Sequence, residues 1–586
     1  MALAPFAMTV LYGSQSGCAQ DVAERIARHA RLWQVPVTLS CMDDFGMERL
    51  EKIMADHYHV FVASTTGQGV APDNMSRLWR SLLSKRLPSN HLEHMRFAVF
   101  GLGDSSYPIY NAVARRLFQR LLDLGAVAFY PRGLGDDQHD LGYDGDFMPW
   151  MDGMWRRLRE LHPSLDAMRL DELAPRYKVS LVDGVPDDHV PLGSFGQGVG
   201  RYIPLPAPVL DSRRITPEDH FQDVRIVELS ARHVRYTPGD ILIIHPRNSV
   251  EAARQFIVDR IRMDPLTVVV IECKDDDGKL PTGCKVTILD LFVRFLDIFG
   301  TPRRHFFEFL AQFATDDVEK ERLLELSSPE GQADLLAYNF RERRTYAEVL
   351  NDFPSAQVPL ARLLEEVPRL APRQFSIASS PRAHPDRIQI LAAIVEFQTP
   401  YKRRRVGLCS HFLRTLKVGD SVDVWSRSGC LSIPPSPVPM IMVGPGTGIA
   451  PFRSMCNELS FLHDRGPSEI RVYFGCRYKA NDFYFEFEWD QLLSRGTITA
   501  FVPAFSRDQP NKVYVQDQLR EQGADVWRIL SGGGVFYLAG SSNSMPKQVQ
   551  DAIIDICIEY GHMTDDDART FVRQLQRRGQ YVIETW

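Results

Sequence analysis

Two glycine-bearing turns at opposite ends of the chain carry residue types that hold phosphates. Near the start, Gly13-Ser14-Gln15-Ser16-Gly17-Cys18-Ala19 follows the apolar run Met8 to Tyr12 and precedes an amphipathic helical pattern over Asp21 to Leu32. Small hydroxylated residues and backbone N–H groups at a helix start suit a terminal phosphate, because the donors converge on it and the helix dipole favours its charge. Near the end, Gly444-Pro445-Gly446-Thr447-Gly448 follows Met440-Ile441-Met442-Val443 and leads into another helical pattern. Glycines there let the backbone approach a pyrophosphate closely. Ordinary strand-to-helix turns also contain glycine, so each loop gains weight only from its surroundings.

Around the first loop, strand-like runs at Met8 to Tyr12, His59 to Ala63 and Arg96 to Phe100 alternate with helical patterns such as Asn111 to Leu124. This alternation argues for a parallel, doubly wound sheet, whose ligands sit at the carboxyl ends of the strands. After the second run comes Ser64-Thr65-Thr66-Gly67-Gln68-Gly69, and after the third Gly101-Leu102-Gly103-Asp104-Ser105-Ser106-Tyr107. Tyr107 can stack on a flat ring. Three such loops on one sheet edge point to an FMN site. The acidic run Asp136, Asp137, Asp140, Asp144 and Asp146 lies beside it, either as a solvated loop or as a docking patch for an electron acceptor.

At the other end, Ala504-Phe505-Ser506-Arg507 and Lys512-Val513-Tyr514-Val515-Gln516 decide the nucleotide. A carboxylate usually faces the ribose 2′-OH of NAD, whereas Ser506, Arg507 and Lys512 offer a hydroxyl and two cations suited to a 2′-phosphate. NADPH is therefore the expected donor.

Between the two ends, residues 166–200 shift to Pro, Asp and Gly and read as a tether that lets the first domain swing. Strand-like runs at Phe221 to Leu229 and Asp240 to His245 then begin an antiparallel barrel. A mostly helical stretch, residues 249–365, interrupts it and reads as a spacer. The barrel resumes at Arg373-Gln374-Phe375-Ser376, and Gly407-Leu408-Cys409-Ser410 supplies another helix start suited to a pyrophosphate.

These motifs, in this order, resemble the diflavin reductases across essentially the whole chain. Residues 1–155 resemble their flavodoxin-type FMN domain, residues 201–248 with 366–432 the FAD barrel of the ferredoxin-NADP reductase superfamily, and residues 433–586 its NADP domain. The 156–200 segment is the expected linker and 249–365 the insertion. The resemblance implies that Ser14, Gln15, Ser16, Gly17, Cys18 and Ala19 hold the FMN phosphate. It places Thr65, Thr66, Gly67, Gln68, Leu102, Gly103, Asp104, Ser105, Ser106, Tyr107, Tyr110 and Asn111 beside the isoalloxazine, with Asp136 nearby. Microsomal members carry a second stacking tyrosine where Thr66 stands, which implies aromatic cover on one face only and an altered FMN affinity or potential.

For FAD, the resemblance assigns Arg373 to the pyrophosphate, Phe375 to stacking, Ser376 to the flavin N5 region, and Gly407, Leu408, Cys409 and Ser410 to the phosphates. Thr447, Ser506, Arg507, Lys512, Tyr514 and Gln516 fall to NADPH. Trp586 would shield the flavin and move aside for nicotinamide, while Glu584 and Ser376 support hydride transfer. A third supporting residue, cysteine in the microsomal relatives, is Ala539 here.

Composition is consistent with this reading. A length of 586 residues exceeds one hydrophobic core and predicts three or four domains. A net charge of -6 gives no reason to expect nucleic acid. The nine cysteines are scattered without a Cys-x-x-Cys pair, which argues for reduced thiols and no metal site. With no signal peptide or long apolar run, a cytoplasmic location without a membrane anchor is expected.

Within the family, the chain looks most like the soluble branch that serves cytosolic iron-sulfur protein assembly. That implies an anamorsin-like Fe-S protein as acceptor. Two alternatives stay open: a reductase for a haem protein or sulfite reductase, and a non-enzymatic interaction module with a degenerate flavin site.

Overall fold

A computed structural model describes residues 6–15, 17–52, 57–65, 69, 71–106, 109–165, 174–193, 195–196, 201–273, 279–328, 330–462 and 468–585. The chain gathers into two compact units, Met1–Ile203 with Arg254–Arg369 and Pro204–Ala253 with Leu370–Trp586.

The first unit is built on a parallel sheet. Its strands run in the order Val37–Cys41, Ala7–Gly13, His57–Ser64, Arg96–Gly103, Val127–Ala128, and Gly133–Asp136 also pairs with Arg96–Gly103. This is the flavodoxin-like order, in which the chain reverses direction across the sheet between the first and third strands and leaves a crevice at their carboxyl ends. Both faces are covered, so the strands are apolar almost throughout. Met8 and Val10 pack with Val22 and Ile26 of helix Cys18–Leu32 and with Phe147 and Met154 of helix Asp144–Leu161. Leu11, Phe61 and Val99 point the other way, onto Leu78, Leu117 and Leu121.

Helix Cys18–Leu32 is also fastened to the insertion by charge. Arg28 Nε lies 2.9 Å from Glu366 of the insertion, while Arg25 Nη1, 2.6 Å from Asp144, ties the helix to Asp144–Leu161 of its own domain. From the insertion, Arg303 donates to the Tyr143 hydroxyl at 2.6 Å and to Cys18 Sγ at 3.5 Å. Burial raises the Glu366 carboxyl, and Arg28 opposes that rise. His305, packed against Asp21 and Glu366, is held far below the usual imidazole range by burial and the neighbouring arginines.

The insertion is helical over Arg304–Ala311, Asp317–Ser327, Tyr346–Asp352 and Leu360–Glu366. It also holds a small antiparallel sheet in which Val268–Cys273 pairs with Lys285–Thr287 on one side and Tyr177–Leu181 on the other. The 156–200 segment is therefore not tether throughout. Helix Asp144–Leu161 enters it, and the alternating Tyr177-Lys178-Val179-Ser180-Leu181 forms a strand on the insertion. Residues 166–173 lie outside the described residues.

The second unit opens with an antiparallel sheet in the order Arg373–Ser376, Ile241–His245, Ser421–Arg427, Leu205–Arg214, Val224–Ser230, Arg387–Ala393. An antiparallel bridge between Ile377 and Ile390 joins its two ends, closing a barrel around Val227, Leu242, Ile244, Ile390 and Val424. A parallel sheet follows, ordered Ala500–Phe505, Ile470–Cys476, Met440–Val443, Val535–Gly540, Tyr581–Thr585. Within this unit, Arg453 ties the barrel to the parallel sheet. Its guanidinium donates twice to Glu488 at 2.7 and 2.8 Å, to Ala378 O at 2.9 Å and to Gln389 Oε1 at 2.7 Å. Among the described residues no helix is long and apolar enough to cross a membrane.

Candidate functional site

The three loops of the first sheet converge by register. Gly13 pairs with Ala63, Ser64 with Leu102 and Gly103 with Asp136, so all four strands end at one edge. In the first loop, the Ser14 amide donates to Asn74 Oδ1 at 2.8 Å and the Gly17 amide to Ser14 Oγ at 3.0 Å. Gly17 adopts φ +91, open only to glycine at low cost, and turns the chain into a helix whose first amides receive no side-chain cap. Those uncapped amides fit a phosphate. The Ala19 side chain is fully buried in the core and Cys18 faces Arg303, so both residues offer backbone only. Ser16 lies outside the described residues.

Of the second loop, Thr65 is described and Thr66, Gly67 and Gln68 are not. The Thr65 amide donates to Leu102 O at 2.9 Å, and its hydroxyl accepts from the Val113 amide at 3.3 Å. In the third loop, the Ser105 amide donates to Asp136 Oδ1 at 2.9 Å and the Ser106 amide to Asp104 Oδ1 at 2.8 Å. Leu102 is buried and Gly103 half-buried. Tyr107 lies outside the described residues. The Tyr110 hydroxyl donates to Leu134 O at 2.9 Å.

Asn111, with φ +52, caps helix Ala112–Asp123 and is fully buried. Its amide nitrogen donates to Gly135 O at 2.9 Å, while its Oδ1 has no hydrogen-bond partner. A Cβ on Gly101 or Gly103 would press within 2.6 or 2.9 Å of Asn111 atoms, so both glycines are required for this packing. Desolvation is the largest single influence on the Asp136 carboxyl and raises it, but the hydrogen bonds from Ser105 and the Gln138 amide together outweigh it and hold the group below its usual range. Part of the acidic run is structural: Asp144 pairs with Arg25, and Asp146 accepts from the Asp136 amide at 3.0 Å. Asp137 and Asp140 are exposed.

In the barrel, Arg373 is exposed, Phe375 half-buried and Ser376 buried. Gly407 begins helix Leu408–Thr415, whose first turn has no side-chain cap. The Ser410 hydroxyl donates to Gly407 O and accepts from the Val395 amide, each at 3.0 Å, so it builds the turn. Cys409 sits in the barrel core, where burial pushes its thiol up to about 12. Leu408 is half-buried. The amides of this turn are what can meet a pyrophosphate.

In the parallel sheet, Gly446 has φ +56 and a Cβ on Gly448 would come within 2.2 Å of Ala539 O. The turn therefore tolerates only glycine, which leaves its backbone bare beside half-buried Thr447. Ser506 is buried and its hydroxyl donates to Cys476 O at 3.2 Å. Arg507, Lys512 and Tyr514 are exposed, and buried Gln516 reaches Gln548 at 3.5 Å. The structure adds Arg477, which sequence reasoning missed. It directly follows strand Ile470–Cys476, which pairs with the strand Ala500–Phe505 that leads into Ser506, lies 3.4 Å from the Phe221 ring centre, and is lowered in pKa by burial and by Arg507. Its signal was a cation at the same strand-end level as Arg507, legible only once the strands are paired.

Across this unit, Ser376 Oγ donates to Glu584 Oε1 at 2.7 Å although 208 positions separate the two in sequence. Glu584 is 8% exposed. Ala539 lies opposite it in register, fully buried. Trp586 lies outside the described residues.

Family models match in the same order as the folds: flavodoxin over residues 10–150, FAD binding domain over 201–412, and oxidoreductase NAD-binding domain over 442–551. NADPH-dependent diflavin oxidoreductase 1 of Bos taurus is 41% identical, with 99% of each chain covered. The proteins of the same name from Arabidopsis thaliana and Schizosaccharomyces pombe are 37% and 35% identical, covering 99% and 98% of this chain and 99% of their own. The chain belongs to the NADPH-dependent diflavin oxidoreductases. The enzyme uses FMN, FAD and NADPH, each with its own domain in chain order.

Proposed function

We propose that this diflavin oxidoreductase delivers electrons singly to an anamorsin-like Fe-S protein in cytosolic iron-sulfur cluster assembly. The observation that carries the proposal is the exposed acidic lip at the FMN edge, Asp137 and Asp140 beside Asp136, on a chain similar along its length to the relatives named above. When bound, the flavins supply the redox chemistry, taking hydride from NADPH and releasing electrons one at a time. The protein supplies position and charge.

The uncapped amides after Gly17 and Gly407 hold the flavin phosphates, and the Gly444 to Gly448 turn holds the nucleotide pyrophosphate. Ser506, Arg507, Lys512 and Arg477 receive the 2′-phosphate. Buried Ser376 and Glu584 form a hydrogen-bonded pair beside the hydride path. Complementary charge at the acidic lip speeds encounter with a basic face on the acceptor and fades with salt.

The test is NADPH-driven reduction of a purified anamorsin-like Fe-S protein by the full chain, compared with reduction of a cytochrome and of ferricyanide. A second-order rate that falls with ionic strength for the Fe-S protein, and falls again in Asp137→Asn/Asp140→Asn, supports the proposal. Faster reduction of the cytochrome with no dependence on those aspartates sinks it.

A further inference from the structure

The Glu584 carboxylate is gripped from two sides. Oε1 accepts from Ser376 at 2.7 Å, and Oε2 lies 3.4 Å from the Cys430 Sγ, which also sits 3.5 Å from Ile583 O. Cys430 belongs to the segment after strand Ser421–Arg427, far in sequence from both partners.

That segment is seated closely. A Cβ on Gly429 would fall 2.0 Å from Gly239 O and 3.1 Å from Glu584 Oε2, and a Cβ on Gly239 would fall 2.1 Å from Leu431 O. Backbone contact between the Gly239 turn and residues 429–431 thus sets the sulfur against the carboxylate. On the other flank, Ala539 stands opposite Glu584 in register and presents a methyl group with no donor.

A buried carboxylate with one oxygen tied to a serine can still rotate about its last torsion, which is broad. A second donor at the other oxygen fixes that torsion. We propose that Cys430 is a positioning residue for hydride transfer: its S–H and the Ser376 hydroxyl together fix the Glu584 carboxylate. The proposal rests on the reading of Ser376 and Glu584 as the pair beside the hydride path. Cys430 is exposed as a residue, but desolvation of its sulfur and the adjacent carboxylate push the thiol up to about 12, so it remains a protonated donor across the working range. A thiol is a weak donor, so its share is modest.

The experiment is anaerobic rapid-mixing reduction of the flavin-loaded full chain by NADPH and by 4-deuterated NADPH. The parent is compared with Cys430→Ala, Cys430→Ser, Ser376→Ala and Glu584→Gln, after flavin content is confirmed for each. Cys430→Ala is expected to slow the isotope-sensitive step about 3- to 10-fold, the worth of one modest hydrogen bond. Cys430→Ser, which restores a donor, should recover most of the rate.

Equal losses in Cys430→Ala and Cys430→Ser, or no loss in Cys430→Ala while Ser376→Ala and Glu584→Gln are slow, overturns the role of Cys430 alone. An unchanged isotope-sensitive step in Ser376→Ala and Glu584→Gln overturns the reading of the pair, and the Cys430 role with it.

Discussion

Arg477 should contribute more to nucleotide choice than Arg507, although only Arg507 stands in a legible motif. The perturbation is Arg477→Ala. On the proposed assignment, a 2′-phosphate would meet an exposed cation at Arg507 and a half-buried one at Arg477, whose guanidinium lies 3.4 Å from the Phe221 ring centre. Two unit charges 4 Å apart are worth about 1 kcal/mol in water and about 4 kcal/mol at the surface of a protein. Arg507 sits near the first limit, so its loss should cost about 1 kcal/mol, roughly fivefold. Arg477 lies between the limits, so its loss should cost about 2 to 3 kcal/mol, roughly 30- to 150-fold. NADH has no such phosphate and should be affected little. Arg477→Lys keeps the charge but loses the planar stack, and should fall between parent and alanine. The assay is kcat/KM for NADPH and for NADH with ferricyanide, at low and high salt, since screening should shrink both effects. Equal losses for the two nucleotides, or a smaller NADPH loss than in Arg507→Ala, would refute this assignment.

Other outcomes follow from the same geometry. Arg453→Met removes a buried guanidinium with four hydrogen bonds and should lower the unfolding free energy by about 3 to 5 kcal/mol, read by thermal or denaturant unfolding of the flavin-loaded chain. Gly101→Ala would drive a methyl into Ala114 and Asn111, so FMN released per chain should fall while FAD stays near one. Asp136 has a folded pKa below its unfolded value, so its support of the Ser105 loop is present above the ordinary carboxylate range and is lost as pH falls through the lowered value. FMN retention should therefore drop on acidification below that range, and Asp136→Asn should show weaker retention at neutral pH with a flatter acid response.

Much of this was legible in the sequence because the determinants were local. The parallel α/β folds followed from apolar strands alternating with amphipathic helices, and the turn at Gly444 to Gly448 announced itself through glycines that nothing larger could replace. Side-chain roles were less legible where burial decided them. Cys409 and Ala19 lie within the loops proposed to hold phosphates, yet their side chains pack in cores, because loop spacing specifies where the backbone goes and not where each Cβ points. Ser410 reads as a phosphate hydroxyl but is consumed in shaping its own turn. Tyr177–Leu181 was obscured by the Pro- and Asp-rich composition around it, and only its partner Val268–Cys273 makes it a strand. Arg477 and Cys430 escaped because their partners are remote in sequence, which a single chain read linearly does not reveal.

The interrupted barrel bears on how the molecule is made. Pro208 pairs with Ser421, and the Ile377 to Ile390 bridge closes the sheet only after the whole insertion has been synthesised. Leu205–Arg214 can pair at once with Val224–Ser230, but at about 5 to 20 residues per second it waits roughly 10 to 40 s on the ribosome for its other neighbour, Ser421–Arg427. The flavodoxin-like sheet, whose strands all lie within the first 136 residues, can be complete before then. Meanwhile Leu205–Arg214 and Val224–Ser230 are exposed edges of high contact order, the kind of surface that recruits chaperones and aggregates when synthesis is fast. An insertion that folds promptly shortens the effective loop that the barrel must close. Substitutions that merely loosen the insertion should therefore lower the yield of FAD-loaded enzyme more than its turnover.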